Sequence, residues 1–403
     1  LKIAIVHYWL VSMRGGEKVL EELCRLYPTA DIFTLVLDRD SLSPFLATRN
    51  ITTSFLQRIP GIRKHYQKVL PLMPFALEHL DLSAYDLIIS SESGPAKGVI
   101  TRPDAVHVCY CHSPMRYVWD HYHVYRRDLP RTARMMLALF APPLRAWDAS
   151  TAARVDAFIA NSHHVARRIK RYYNRDAVVI PPPVSVDDFA IQEGPKDFYL
   201  CAGQLVTYKR IDLAVRAFTQ TGRNLVIIGE GPQYDRLRQI AGPTIKFLGR
   251  QPFDSMREHM ARCRALIFPG EEDFGIVPLE VMASGRPVIA FDAGGAKETV
   301  PLWGGFRFPE QTVESLLAAV ERYEAVEADI DSAALRRHAQ GFAPDIFRAR
   351  IAEFVDGCIT NAGAREQPTV LEGEVVPFRP RLASDDVLVS LPVKHRASEG
   401  MSS

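Results

Sequence analysis

Three consecutive prolines divide the chain into two halves with the same pattern. Before Ile180-Pro181-Pro182-Pro183-Val184, short β-rich runs alternate with longer helical stretches. After a polar segment ending at Lys196, the alternation starts again. Proline lacks the backbone N–H that ladders and helix interiors use, and it fixes φ. No regular element is therefore expected to run through this point, and it reads as an interdomain linker.

Alternating strand and helix patterns predict parallel sheets covered by helices. In the first half the expected strands are Lys2–His7, Ile32–Leu37, Asp86–Ser90, Val106–Tyr110 and Ala157–Ala160, with helices over Glu17–Leu26, Pro130–Ala141 and Val165–Tyr172. In the second half strands are expected at Phe198–Ala202, Leu225–Ile228, Ile245–Leu248, Ala265–Phe268 and Val288–Phe291, with helices over Asp212–Thr219 and Tyr234–Ala241. The predicted fold class is α/β, with two Rossmann-like domains facing a central cleft. They cover residues 1–190 and 191–343. A helix over 344–358 is expected to cross back to the first domain, and a loosely ordered tail follows over 359–403. Open parallel sheets bind ligands at the carboxyl ends of their strands. Functional residues should therefore lie just after strands.

Length and composition agree and exclude several classes. A chain of 403 residues holds two to three ordinary domains. The formal net charge of +2 argues against a general nucleic-acid binder. No apolar run approaches the ~20 residues of a membrane span. The chain opens directly on a strand-like Lys2–Val6, without the basic leader and cleavage site of a secretion signal. Six cysteines are too few for a disulfide framework. A cytoplasmic location with reduced thiols is expected.

The most informative segment is Glu272-Asp273-Phe274-Gly275-Ile276-Val277-Pro278-Leu279-Glu280, which follows a strand and leads into a helix. A helix start presents unpaired N–H groups that favour anions such as a diphosphate. A carboxylate accepts bonds from two vicinal hydroxyls, so Glu280 suits a ribose and Glu272 a hexose. Read blandly, Glu272 would cap the helix and Glu280 would face solvent.

This string resembles the E-x7-E signature of the family 4 retaining glycosyltransferases, which have the GT-B fold, and the likeness runs over roughly residues 1–358. The resemblance implies that Glu272 and the backbone amides of Phe274, Gly275 and Ile276 hold the donor sugar. It implies too that Glu280 binds the nucleotide ribose and that Val277 lines the diphosphate site.

Three further segments fit the same pattern. Gly203-Gln204-Leu205-Val206-Thr207-Tyr208-Lys209-Arg210 places two adjacent cations at a loop–helix junction, suited to a diphosphate leaving group. The family has an arginine after the glycine, where this chain has Gln204; Arg210 would compensate. Arg14-Gly15-Gly16-Glu17 has small residues that let a phosphate or sugar come close. It resembles the family's glycine loop, which makes Gly15 and Gly16 donor and acceptor contacts. In Cys109-Tyr110-Cys111-His112-Ser113-Pro114-Met115-Arg116, a metal reading of Cys109, Cys111 and His112 lacks a second ligand cluster. The run from His112 to Asp120 resembles a subgroup of bacterial O-antigen and exopolysaccharide mannosyltransferases. By that resemblance His112 contacts the transferred sugar; Arg116 is expected to contact the acceptor or a phosphate, the alternative being an ion pair with Asp120. Gly249 and Arg250 end a strand where the family's nucleobase loop begins.

The implied activity is metal-independent transfer of a hexose, mannose from GDP-mannose, with His112, Glu272, Lys209 and Arg210 as the catalytic set. Asp38-Arg39-Asp40 and Asp329-Ile330-Asp331 match the D-x-D metal motif of another glycosyltransferase fold and read as solvated acids. A dehydrogenase reading fails because no G-x-G-x-x-G follows the first strand. A non-catalytic GT-B partner subunit remains as the alternative, as does another GDP- or UDP-sugar.

The small net charge conceals an asymmetry. Residues 1–190 carry 24 Lys+Arg against 18 Asp+Glu, and residues 191–403 carry 25 against 29. Between Asp40 and Glu78 there is no acid, yet Arg49, Arg58, Arg63, Lys64 and Lys68 alternate with apolar residues. A second patch has Arg126, Arg127, Arg131, Arg134 and Arg145 around Met135–Phe140. Basic amphipathic segments suit an anionic membrane surface. Peripheral docking on the inner face of the cytoplasmic membrane and a polyprenyl-diphosphate-linked saccharide acceptor are the expectations.

Overall fold

The computed structural model describes residues 1–194 and 196–365. The first half contains β1 (Ile3–His7), β2 (Asp31–Thr34), β3 (Ile51–Thr53), β4 (Leu87–Glu92), β5 (Val106–Cys111), β6 (Ala157–Ala160) and β7 (Ala177–Val179). They form one sheet in the order β3-β2-β1-β4-β5-β6-β7, and every pair is parallel. The second half contains β8 (Tyr199–Ala202), β9 (Leu225–Ile228), β10 (Ile245–Gly249), β11 (Leu266–Phe268), β12 (Val288–Phe291) and β13 (Gly305–Phe308). Their order is β10-β9-β8-β11-β12-β13, again all parallel.

In each sheet the order reverses beside the first strand, between β1 and β4 and between β8 and β11. Loops leaving strands on either side of such a reversal diverge and open a crevice. Both faces are covered at the middle of each sheet, so the central strands are buried on both sides, while residues of the edge strands β3, β7 and β10 reach solvent. Ile3 and Ile5 of β1 pack with Val19, Leu20 and Leu23 of α1 (Gly15–Leu26). Ala4 and Val6 face the opposite cluster with Phe33, Leu77 and Ile88.

Three strands escape the sequence pattern. β3 and β7 are three-residue edge strands, too short for a period, and β13 is an edge strand beginning at a glycine. The helix expected to end at Ala141 continues as α2 (Arg131–Thr151) through Pro142 and Pro143. Its later part buries Leu144, Asp148 and Thr151, and this packing outweighs the lost backbone bonds. The other helices that shape the cleft are α3 (His163–Tyr173), α4 (Ile211–Thr221) and α5 (Ile276–Ala283).

The linker is packed, not loose. Val184, Val186 and Phe189 lie in the core of the second half, and the Val184 N–H donates to the Phe342 carbonyl at 2.8 Å. The final helix, α6 (Pro344–Arg365), runs past the expected end at Cys358. Its Phe347, Ile351 and Val355 bury against Ile3, Val19 and Leu23 of the first half, and Arg348 pairs with Glu22. The remainder of the expected tail, 366–403, lies outside the described residues.

Candidate active site

Parallel pairing puts the carboxyl ends of β1, β4, β5 and β6 on one edge and those of β8, β10 and β11 on another. The loops from these two edges meet. Gly15, the first residue of α1, lies so close to α5 that a Cβ there would stand 2.7 Å from Ile276 Cδ1. Gly16 is equally confined, its Cβ position lying 3.2 Å from Tyr8 Oη and 3.6 Å from His112 Nε2.

The β11–α5 loop supplies the densest cluster. Glu272 Oε1 pairs with Lys209 Nζ at 2.8 Å. Burial works against the Lys209 charge, but the Glu272 carboxylate and Tyr208 outweigh it and hold the pKa above the ordinary lysine value. Gly203 has φ +134, and a Cβ there would be 3.1 Å from Lys209 Nζ. Gly275, at φ +91, turns the chain into α5. The N–H groups of Phe274, Gly275, Ile276 and Val277 donate to no acceptor among the described residues. The Phe274 side chain packs into the core, which leaves only its backbone for a ligand. A row of free N–H groups at a helix start, with a lysine close by, is an anion-binding arrangement.

Glu280 lies one turn into α5 and pairs across the cleft with Lys18 Nζ of α1 at 2.9 Å. The bland reading of a solvated Glu280 is therefore incorrect: the residue is buried. Asp273, between the two signature positions, is the main crosslink. Arg116 reaches it with Nη2 at 2.5 Å and Nε at 2.7 Å, and Arg168 of α3 with Nη1 at 2.7 Å. Burial pushes the Asp273 carboxyl up, but Arg116 and Arg168 together hold it below the usual aspartate range. The alternative pairing of Arg116 with Asp120 is corrected accordingly: Asp120 bonds Arg168 at 2.7 Å. Ser162 Oγ also donates to the Asp273 carbonyl at 2.6 Å, and Glu298 accepts the N–H groups of His163 and His164 at 2.8 and 2.9 Å.

His112 follows β5, and its N–H donates to the Glu92 carbonyl at 2.7 Å. Its Nε2 lies 3.0 Å from Ser91 Oγ, which lies 3.2 Å from His7 Nδ1. A hydroxyl has one proton to donate, so Ser91 couples the tautomers of the two rings. Burial lowers the His112 pKa to about 4 and that of the fully buried His7 well below its ordinary value. Both imidazoles are neutral near pH 7.

Other predicted residues lie further out. Arg210 sits at φ +52, and its guanidinium is held by Asp212 and Gln311, each at 3.2 Å. It makes no bond to the Glu272 carboxylate, so its expected part beside Lys209 has no contact behind it. Gly249, at φ +65, ends β10 and its carbonyl accepts from the Gly229 N–H at 2.9 Å; Arg250 follows it, exposed. Gln204, where the family pattern has an arginine, sets its side-chain amide against the Arg14 guanidinium, and the amide oxygen is assigned to the Arg14 side because only that orientation pairs it with donors. Of the D-x-D aspartates, Asp38 pairs with Arg63, and Asp331 caps the following helix by accepting from Ala333 and Ala334.

Lys18, Asp273, Arg168, His7 and Ser91 were not singled out by their sequence. Asp273 sits inside the signature itself, and Ser91 lies at the carboxyl end of a strand, so position alone marks both. Lys18 and Arg168 carry no such mark, because their partners are 262 and 105 residues away.

Comparison with known proteins gives the family and the fold. A family model described as Glycosyltransferase Family 4 matches residues 13–188, and one described as Glycosyl transferases group 1 matches residues 186–340. An uncharacterized glycosyltransferase of Methanocaldococcus jannaschii is 31% identical over 36% of this chain and 42% of its own length. The GDP-mannose-dependent monoacylated alpha-(1-6)-phosphatidylinositol monomannoside mannosyltransferase of Corynebacterium glutamicum is 34% identical over 25% of this chain and 30% of its own. The matches thus span less than half the length of these relatives. Among solved structures, Anabaena HepE in complex with UDP superposes with a TM-score of 0.67 at 17% identity, covering 89% of this chain and all of that one. The sucrose-phosphate synthase of Thermosynechococcus elongatus also gives 0.67 at 17% identity, over 90% of this chain and 100% of its own. With two family models that meet at the linker and together run from residue 13 to residue 340, the chain belongs to the family 4 glycosyltransferases, on the two-domain GT-B fold.

Proposed function

We propose that this chain is a retaining glycosyltransferase that moves mannose from GDP-mannose to a polyprenyl-diphosphate-linked saccharide during cell-surface polysaccharide synthesis. The observation that carries the reading is the β11–α5 turn-and-helix, with four free N–H groups, Glu272 and Glu280, and Lys209 reaching Glu272 from the loop before α4. In this reading the N–H groups and Lys209 take the diphosphate, Glu272 the hexose hydroxyls and Glu280 the ribose. Lys209 and the helix start then stabilise the charge that grows on the departing diphosphate. The leaving phosphate takes the acceptor proton on the same face, so no protein carboxylate is needed as base. His112, neutral at working pH, hydrogen-bonds the sugar without adding a positive charge beside the oxocarbenium-like centre.

The mannose donor is supported by relatives whose names are GDP-mannose-dependent mannosyltransferases acting on phosphatidylinositol mannosides. A UDP-sugar is the second reading, favoured by the UDP and UDP-glucose complexes of the HepE structures. The membrane-bound acceptor is supported by α2, where Met135 is 67% and Leu139 65% exposed among Arg127, Arg131 and Arg134, and by Phe75, 60% exposed. Leu70 joins Leu137 and Phe140 on one small cluster, which brings the two basic segments side by side. Among the described residues no helix is long and apolar enough to cross a membrane.

A donor panel tests the reading. The full chain is incubated with GDP-mannose, GDP-fucose, UDP-glucose and UDP-N-acetylglucosamine, and nucleotide release is followed with and without a bacterial lipid extract. Release from GDP-mannose, increased by the extract, is expected. Release from UDP-sugars alone would move the donor to the second reading, and release from none would leave the non-catalytic subunit.

A further inference from the structure

The cations that line the cleft are nearly all neutralised within it. Lys209, Lys18, Arg116 and Arg210 each stand within 4 Å of a carboxylate: Glu272, Glu280, Asp273 and Asp212. Arg168 also shares Asp273. Arg14 is different. Among the described residues its guanidinium makes no ion pair; Glu17 accepts from the Arg14 backbone N–H at 3.0 Å. What holds the guanidinium is a neutral amide. With its amide oxygen assigned to the side facing two donors, Gln204 accepts from Nη1 at 3.2 Å and from Nη2 at 3.1 Å. An amide fixes the position of a guanidinium and leaves its charge intact, whereas a carboxylate would cancel it.

The setting of this pair gives the charge a direction. Arg14 precedes Gly15, which touches Ile276 at the start of α5. Gln204 follows Gly203, which borders Lys209 Nζ. The Arg14–Gln204 pair thus joins the loop that leads into Gly15, opposite the start of α5, to the loop that carries Gly203, opposite Lys209. We propose that Arg14 binds the donor diphosphate directly, as a cation contributed by the N-terminal domain to a site otherwise built by the C-terminal one. It donates charge-assisted bonds to the distal phosphate and stabilises the charge that collects there as the sugar departs. Because Arg14 and Lys209 belong to different domains, leaving-group stabilisation is complete only while the domains are together.

This inference rests on the donor reading above, and calorimetric titration of the full chain separates the two. Wild-type protein is titrated with GDP, GMP, UDP and UMP. The expected result is that Arg14→Ala loses tenfold or more in affinity for the preferred diphosphate and stays within twofold for the matching monophosphate. Adding Gln204→Arg to Arg14→Ala puts a guanidinium back from the other side and should restore both diphosphate affinity and turnover. A purely structural role would weaken both nucleotides alike. Diphosphate affinity within twofold of wild type in Arg14→Ala, or equal losses for diphosphate and monophosphate, would overturn the proposal and leave the donor reading standing. Wild-type protein that takes up none of the four nucleotides would remove the donor reading, and this proposal with it.

Discussion

Histidines on and after β5 show how burial sets chemistry at single residues. His107 is fully buried between Ser90 Oγ at 2.9 Å and the Arg154 carbonyl at 3.2 Å, and burial lowers its pKa to about 4. Its unfolded value is near 6.5. The unfolded chain therefore binds more protons between these two values, and this residue's contribution to stability falls as pH drops from about 6.5 to 4. Glu17 and Glu92, raised to about 7 by burial, tilt the opposite way between about 4.5 and 7. The His107 effect is thus isolated by difference. His107→Gln should be less stable than wild type at pH 7.5, and the gap in denaturant midpoints should narrow as pH falls to 4.5. A gap that widens on acidification would contradict a buried neutral imidazole. At this scale Glu272, Glu280 and Lys209 were legible because their spacing relative to a strand end is itself the signal. Asp273 is the residue between them, but its role depends on Arg116 and Arg168, 157 and 105 positions away, and no local pattern encodes that.

Elements carry the site through buried contacts that sequence patterns cannot show. Lys97 is wholly buried, bonded to Asp148 of α2 and 3.6 Å from Glu92 at the end of β4. Trp119 and Tyr173 donate to the other oxygen of Asp148 at 2.7 and 2.9 Å. The Glu92 carbonyl in turn holds the His112 N–H. The ion cluster thus fixes the strand end that positions His112. Removing one member strands the others in low dielectric, at a cost of about 3–5 kcal/mol. Lys97→Met should therefore lower the melting temperature by several degrees and reduce turnover with it. An unchanged melting temperature would contradict the tie between this cluster and the fold. The alternation of strands and helices was readable because each central strand is a short β-rich run between helical patterns. The edge strands β3, β7 and β13 were not, since three or four residues on a sheet margin carry too little pattern. Nor was the continuation of α2 past two prolines, which depends on what its far end packs against.

Across the whole molecule the two halves are joined by crosslinks of opposite charge: Lys18–Glu280, Arg116–Asp273 and Arg168–Asp273. Asp273→Ala leaves two arginines without their shared carboxylate. Small-angle scattering should then show a larger radius of gyration, and kcat/KM should fall at least tenfold. An unchanged radius would mean that Asp273 does not hold the domains together. The charge asymmetry read from the sequence belongs to this scale as well, with the basic segments of the first half beside exposed Met135, Leu139 and Phe75. Co-sedimentation with vesicles should increase when anionic lipid is added, and replacing Met135 and Leu139 with serine should reduce it. Equal binding to neutral and anionic vesicles would contradict docking on a membrane of that charge.

In the proposed function, transfer at the cleft depends on Lys209, just before α4, and Glu272 of the β11–α5 loop acting together on the donor. The most direct measurement compares mannose transfer from GDP-mannose to a lipid extract by wild type, Glu272→Ala and Lys209→Ala, with melting temperatures recorded in parallel. Both variants should melt near wild type and lose roughly 10²-fold or more in turnover, the scale of removing a principal charge-stabilising group. Near-native turnover in either, with the fold intact, would contradict the assignment of this loop as the catalytic centre.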